Sequence, residues 1–163
     1  MYTRPGLVAA CLVLVVAGDL YAPPPRRGPR EPLAGMWKVV RAEFNGQPVK
    51  EFADARVTFF DYAITVLVQD KQIFIGDYSI GPQDSAHALT VISVSRPDPA
   101  FPLPFSRKDE IFKGFFELKI DKAKESDRQL EICLAKPDAE RPKKLESPQG
   151  KEILYVVMTS TRR

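Results

Sequence analysis

Residues 35–46 read GMWKVVRAEFNG, and the fold turns on how this stretch is read. No helical stripe fits it, and β-branched and aromatic residues dominate it. Asn45-Gly46 closes it with the strongest two-residue hairpin signal, because both positions of such a turn take positive φ. Gly35 to Phe44 is therefore expected to be a strand that runs straight into a reverse turn.

The same texture continues to the C-terminus. Further strands are expected at Arg56–Phe60, Ala63–Val68, Gln72–Ile80, Ala88–Ser95, Glu110–Ile120, Gln129–Ala135 and Glu152–Thr159. Asp61-Tyr62 and Gln69-Asp70-Lys71 are polar turns, and Glu51–Ala55 has room for one helical turn. Within Gln72–Ile80, Phe74, Gly76, Tyr78 and Ile80 share one face, while Asp77 and Ser79 share the other. Gly76 inside a strand predicts a bend or a close backbone approach. Leu130, Ile132 and Leu134 alternate in the same way with Gln129, Glu131 and Cys133. Eight short strands with hairpin-sized connections predict an all-β, eight-stranded antiparallel up-and-down barrel. Closure removes the exposed edges, and eight strands enclose either packed side chains or one small ligand. A two-sheet sandwich has the same periodicity and is the rival fold.

Upstream, residues 1–18 have the form of a signal peptide. Arg4 precedes the apolar run LVAACLVLVVA at Leu7–Ala17, and Val16 and Gly18 suit a cleavage site. The run is short for a bilayer span, so the mature chain is expected to be exported, periplasmic or extracellular, with no transmembrane span. Val8-Ala9-Ala10-Cys11 has the look of a lipoprotein box, but most of the apolar run follows Cys11, which argues against anchoring there. Residues 19–32, DLYAPPPRRGPREP, form a Pro/Arg-rich linker that cannot pack. Residues 33–163 are the barrel domain. Cleavage after Gly18 would leave Cys133 as the lone cysteine and exclude an intramolecular disulfide.

The chain has 163 residues, the length of one domain, and its 44% apolar content excludes wholesale disorder. A formal charge of +3 gives no basis for nucleic-acid binding. Phe59, Phe60 and Tyr62 lack a concentrated basic face and are read as packing residues rather than a base-stacking platform.

Gly35-Met36-Trp37 at the head of the first strand resembles the Gly-x-Trp of lipocalins and related barrels. That resemblance implies that Trp37 closes one end, with a basic residue near the last strand lying over its ring; Arg162 or Arg163 would supply it. A closer resemblance covers Leu33 to Thr161. GMWKVVRAEFNGQPV, GFFEL at Gly114–Leu118 and LEICLAKPDAERPKKLES at Leu130–Ser147 are similar to an exported bacterial lipocalin-like family. Its members read G-x-W-x-v-x-x-x-x-x-N-G-x-x-v near the start and L-x-I-C-L-A-x-P-x-x-x-R-P near the end. Ile132, Cys133, Leu134, Ala135, Pro137, Arg141 and Pro142 fit the second pattern. The resemblance implies a fold and brings no catalytic residue with it.

Arg96 to Lys108, RPDPAFPLPFSRK, departs from the family's usual shape. Its prolines forbid regular pairing, and Phe101, Leu103 and Phe105 alternate with them. A loop folded back on the barrel would bury these three side chains; the other reading is a lid or docking segment.

Catalytic constellations lack members. His87 is the only histidine and is read as a turn residue. No G-x-S-x-G elbow, phosphate loop, dinucleotide fingerprint or calcium loop is present, and one histidine with one mature cysteine cannot make a standard zinc set, so no metal or cofactor is expected. The leading expectation is a non-catalytic binding protein with a small apolar or amphiphilic ligand inside the barrel. Alternation nominates Val39, Phe59, Phe74, Tyr78, Phe116 and Leu118 as lining residues. The alternative is a structural or protein-interaction module with a filled barrel, acting on an unknown protein partner through residues 96–108 and the linker.

Overall fold

The computed structural model describes residues 32–81, 87–94, 98–99, 109–121 and 128–160. Nine strands run β1 Gly35–Phe44, β2 Gln47–Pro48, β3 Arg56–Phe60, β4 Ala63–Val68, β5 Lys71–Ile80, β6 Ala88–Ser93, β7 Ile111–Ile120, β8 Arg128–Ala135 and β9 Ile153–Ser160. Every neighbouring pair is antiparallel, and β1 also pairs with β9, so the eight longer strands form a closed up-and-down barrel. The rival sandwich is thereby replaced by a single sheet sealed on itself.

Local chemistry sets the connections. Asn45 and Gly46 both take positive φ, 53° and 77°, and return the chain as the two-residue β2 beside β1. Sequence pattern missed β2, which is too short to carry a periodic signal. Asp61-Tyr62 and Gln69-Asp70 make two further two-residue turns with positive φ throughout. The helical turn expected at Glu51–Ala55 is a 3-10 turn at Lys50–Phe52, which tucks Phe52 into the core.

Alternate residues of each strand point inward. Trp37 and Val39 of β1, Val57 and Phe59 of β3, Ile64 and Val66 of β4, and Phe74 and Tyr78 of β5 enter one apolar core. Leu89 and Val91 of β6, Phe112 and Phe116 of β7, and the inward residues of β8 and β9 complete it. Two aromatic pairs meet edge to face in the interior: Phe59 with Tyr78 at 5.0 Å and Phe74 with Phe112 at 6.2 Å. That geometry sets the positive ring edge against the negative face. Gly76 is where the backbones approach closely, since a Cβ there would lie 2.6 Å from the Ile92 carbonyl oxygen.

Candidate functional site

The barrel interior is filled by apolar side chains. Val39, Phe59, Phe74, Tyr78 and Phe116 all lie inside it and are buried, and Leu118 is partly buried against the same core. Alternation placed all six on the correct face. They pack against one another and leave an internal space of about 30 Å³, bordered by Phe59 and Phe74 among others. That space is the size of about one water molecule, whereas ligand pockets run from roughly 300 Å³ upward.

Trp37 lies buried near the start of β1. Its indole Nε1 donates to the Leu33 carbonyl at 2.8 Å, which ties the entering chain to the barrel. The guanidinium of Arg128, at the start of β8, lies over the indole ring at 5.2 Å from its centroid. The same guanidinium donates to the Pro32 carbonyl. Among the described residues the basic residue over the tryptophan is Arg128; Arg162 lies outside them, as do Phe101, Leu103, Phe105, the leader and all of the linker except Pro32. At the rim a groove of about 630 Å³ is lined by Lys119, Asp121, Arg128 and Gln129 with the end of β9. These residues adjoin in sequence the undescribed 122–127 and 161–163, and no site is assigned to it.

The outer surface of β7, β8 and β9 carries a polar cluster that sequence did not reveal. Glu131 points away from the core yet is only 7% exposed. Its carboxylate accepts from the Tyr155 hydroxyl at 2.7 Å, from Lys119 Nζ at 2.5 Å and from Gln129 Nε2 at 2.8 Å. Burial alone would raise its pKa; the hydrogen bonds from Lys119, Tyr155 and Gln129 together outweigh this and hold it below the ordinary 4.5. Burial, then the adjacent Glu131, pushes the Tyr155 phenol well up. Arg41 on β1 lies 5.9 Å from the centre of the Tyr155 ring and pairs with Glu43.

Beside this cluster the connection 136–151 lies over Cys133. Leu145 packs on Cys133, Tyr155 and Val157, forming a second small apolar cluster outside the barrel. Cys133 Sγ donates to the Glu146 carbonyl at 3.4 Å, and burial pushes the thiol up to about 12. Such a thiol is an inert packing group at neutral pH. Arg141 anchors the connection: its Nη1 donates to the carbonyls of Leu89 and Gly114, and its Nη2 donates to Thr90 Oγ1 at 3.1 Å. At the far end Gly46 N donates to Ser147 Oγ at 3.1 Å, and Gly150 N donates to Asn45 Oδ1. The ICLA-x-P-x-x-x-RP residues therefore build a strap and the surface it covers. Ile132 and Leu134 face the core, Cys133 and Ala135 lie buried on the other face, and Arg141 is the pin.

His87 Nδ1 is 3.0 Å from the Phe116 carbonyl oxygen, and its ring lies against Phe115. Among the described residues no three His, Cys, Asp or Glu side chains gather as a metal cluster, and no helix is long and apolar enough to cross a membrane. The described fold and its centre define a closed eight-stranded antiparallel barrel with a packed interior. No family model, curated protein or solved structure matches the chain.

Proposed function

We propose that this protein is an exported, non-catalytic interaction module in which the barrel is a solid scaffold and binding takes place on its outside. The observation that supports this reading is the packed interior, where the space bordered by Phe59 and Phe74 is about 30 Å³. The two side chains most often recruited as nucleophile and base have structural partners instead: Cys133 lies under the strap and His87 is held at the Phe116 carbonyl. Export rests on the sequence of residues 1–18, and the resemblance to exported lipocalin-like proteins agrees with it.

The competing function, a small apolar ligand within the barrel, requires the interior to open by roughly 300 Å³. Native mass spectrometry on protein purified without denaturation separates the two. The expected spectrum contains only the mass of the chain and its multiples. A stoichiometric small molecule that survives purification overturns the module reading.

A further inference from the structure

Asn45 is the single asparagine of the chain, and Gly46 follows it. Both take positive φ, 53° and 77°, which suits the tight turn into β2. The dipeptide also carries a reaction of its own. Once hydroxide has taken the Gly46 amide proton, the nitrogen can attack Cγ of the Asn45 carboxamide, and glycine hinders that approach least because it has no Cβ. The N–Cγ bond forms, the Cγ–Nδ2 bond breaks, and the displaced nitrogen takes a proton from water and departs as ammonia. Water then opens the cyclic imide at either carbonyl, leaving aspartate or iso-aspartate at position 45. No oxidant or reductant takes part.

The connection 136–151 holds both reacting groups. Gly46 N donates to Ser147 Oγ at 3.1 Å, so the proton that must leave is engaged in a hydrogen bond. Ser147 is buried, and its hydroxyl donates in turn to the Ile153 carbonyl at 2.5 Å, which turns its lone pairs toward Gly46. On the other side Asn45 Oδ1 accepts from Gly150 N, so the carboxamide is held to the strap instead of turning toward its neighbour's nitrogen. Asn45 N is tied to the Ile153 carbonyl at 3.3 Å. With the strap closed, the nucleophile keeps its proton and the electrophile keeps its orientation. With the strap raised, both restraints go together, because Ser147 and Gly150 leave together. Gly46 is itself exposed, so hydroxide and water reach it as soon as its hydrogen bond is broken.

We infer that Asn45-Gly46 is a site of spontaneous deamidation gated by the strap. The reacting form is the locally opened one, a state that native proteins visit without unfolding. The change is one-way, so the modified fraction records how long a population of chains has spent with that end of the strap raised. The inference goes beyond the module reading and stands apart from it, since it needs neither a partner nor a ligand.

Intact protein is incubated at pH 8 and digested with trypsin, and the peptide Ala42–Lys50 is assayed for aspartate and iso-aspartate. The same peptide incubated free in solution sets the unrestrained rate. The folded wild type is expected to react at least about tenfold more slowly than the free peptide. Ser147→Ala is expected to raise the rate in the folded protein by about threefold or more, and exchange of the Gly46 amide should rise by the same factor, because both processes begin with loss of the same proton. Should Ser147→Ala fail to fold, Arg141→Ala lifts the strap from its other end and carries the same expectation. Arg128→Ala, beside Trp37 at the opposite end of β1, is expected to leave the rate unchanged, which separates strap opening from general loosening. A folded protein that reacts as fast as the peptide, a folded strap variant that reacts no faster than wild type, or equal acceleration by Arg128→Ala would each overturn the inference.

Discussion

The Tyr155 hydroxyl donates to the Glu131 carboxylate at 2.7 Å on the outward side of the sheet rather than inside the barrel. The pair is buried although both residues occupy positions that alternation assigns to solvent. Removing either partner strands the other. Tyr155→Phe is expected to cost about 1–2 kcal/mol, and Glu131→Ala about 2–3 kcal/mol, because a buried polar group left unpaired keeps its desolvation cost. Urea midpoints at pH 7 measure both.

Glu131 also sets an acid limit. Its folded-state pKa lies below the ordinary 4.5, so its contribution is complete above the unfolded value and is lost as pH falls through the folded one. Melting temperature is expected to fall below about pH 4.5, and Glu131→Gln should flatten that decline while lowering stability at neutral pH. An equally steep acid limb in the variant would assign the loss to other carboxylates.

The thiol shapes the alkaline side. An unfolded Cys133 starts to ionise near 9.0, whereas the folded thiol holds its proton to about 12, so stability falls as pH rises between those values. The Tyr155 phenol, raised above its ordinary 10.0, adds to the decline from pH 10 upward. Cys133→Ala is expected to remove the earlier part of the slope. In a Cys11→Ser background at pH 8, Cys133 should react with a disulfide reagent only at the rate at which the strap opens.

That opening depends on Arg141. Arg141→Ala takes three donor contacts from Leu89, Gly114 and Thr90 and is expected to cost about 2–3 kcal/mol. Lysine cannot reproduce the fork and should rescue little. Hydrogen exchange over 136–148 and thiol reactivity at Cys133 should both rise by at least about tenfold, the equivalent of 1.4 kcal/mol of lost protection. Unchanged exchange would mean that Leu145 and Ser147 hold the strap without it.

Trp37, the single tryptophan, reports on its own end of the barrel. Arg128→Ala is expected to change its emission and lower stability by roughly 0.5–2 kcal/mol, the range for a cation over an indole. Unaltered emission in Arg128→Ala would count against the ring contact.

The barrel was legible in the sequence because a period of two records which face each side chain takes. Phe74 and Tyr78 against Asp77 and Ser79 are enough to orient β5. The same period is silent about what lies outside the sheet. Glu131 and Cys133 fall on the outward face as expected; Glu131 is enclosed by Lys119, Gln129 and Tyr155, and Cys133 by a polar, proline-containing connection whose only sign was Arg141-Pro142. Arg128 was overlooked for a related reason: it lies far from Trp37 in sequence, and the turn of the barrel brings it over the ring. Interior volume was not legible at all. It depends on how Phe59, Phe74, Phe112 and Phe116 share one space, and alternation fixes their direction without fixing their fit.

The seam between β1 and β9 joins residues as distant as Trp37 and Ser160. A ribbon closed by its first and last strands is incomplete until both are present: until the eight residues of β9 are in hand, the first strand has one flank bare and the core stays open to water. During synthesis the sheet thus stays unlatched until Ser160 has emerged, and whatever holds the chain before then handles a ribbon rather than a finished cylinder.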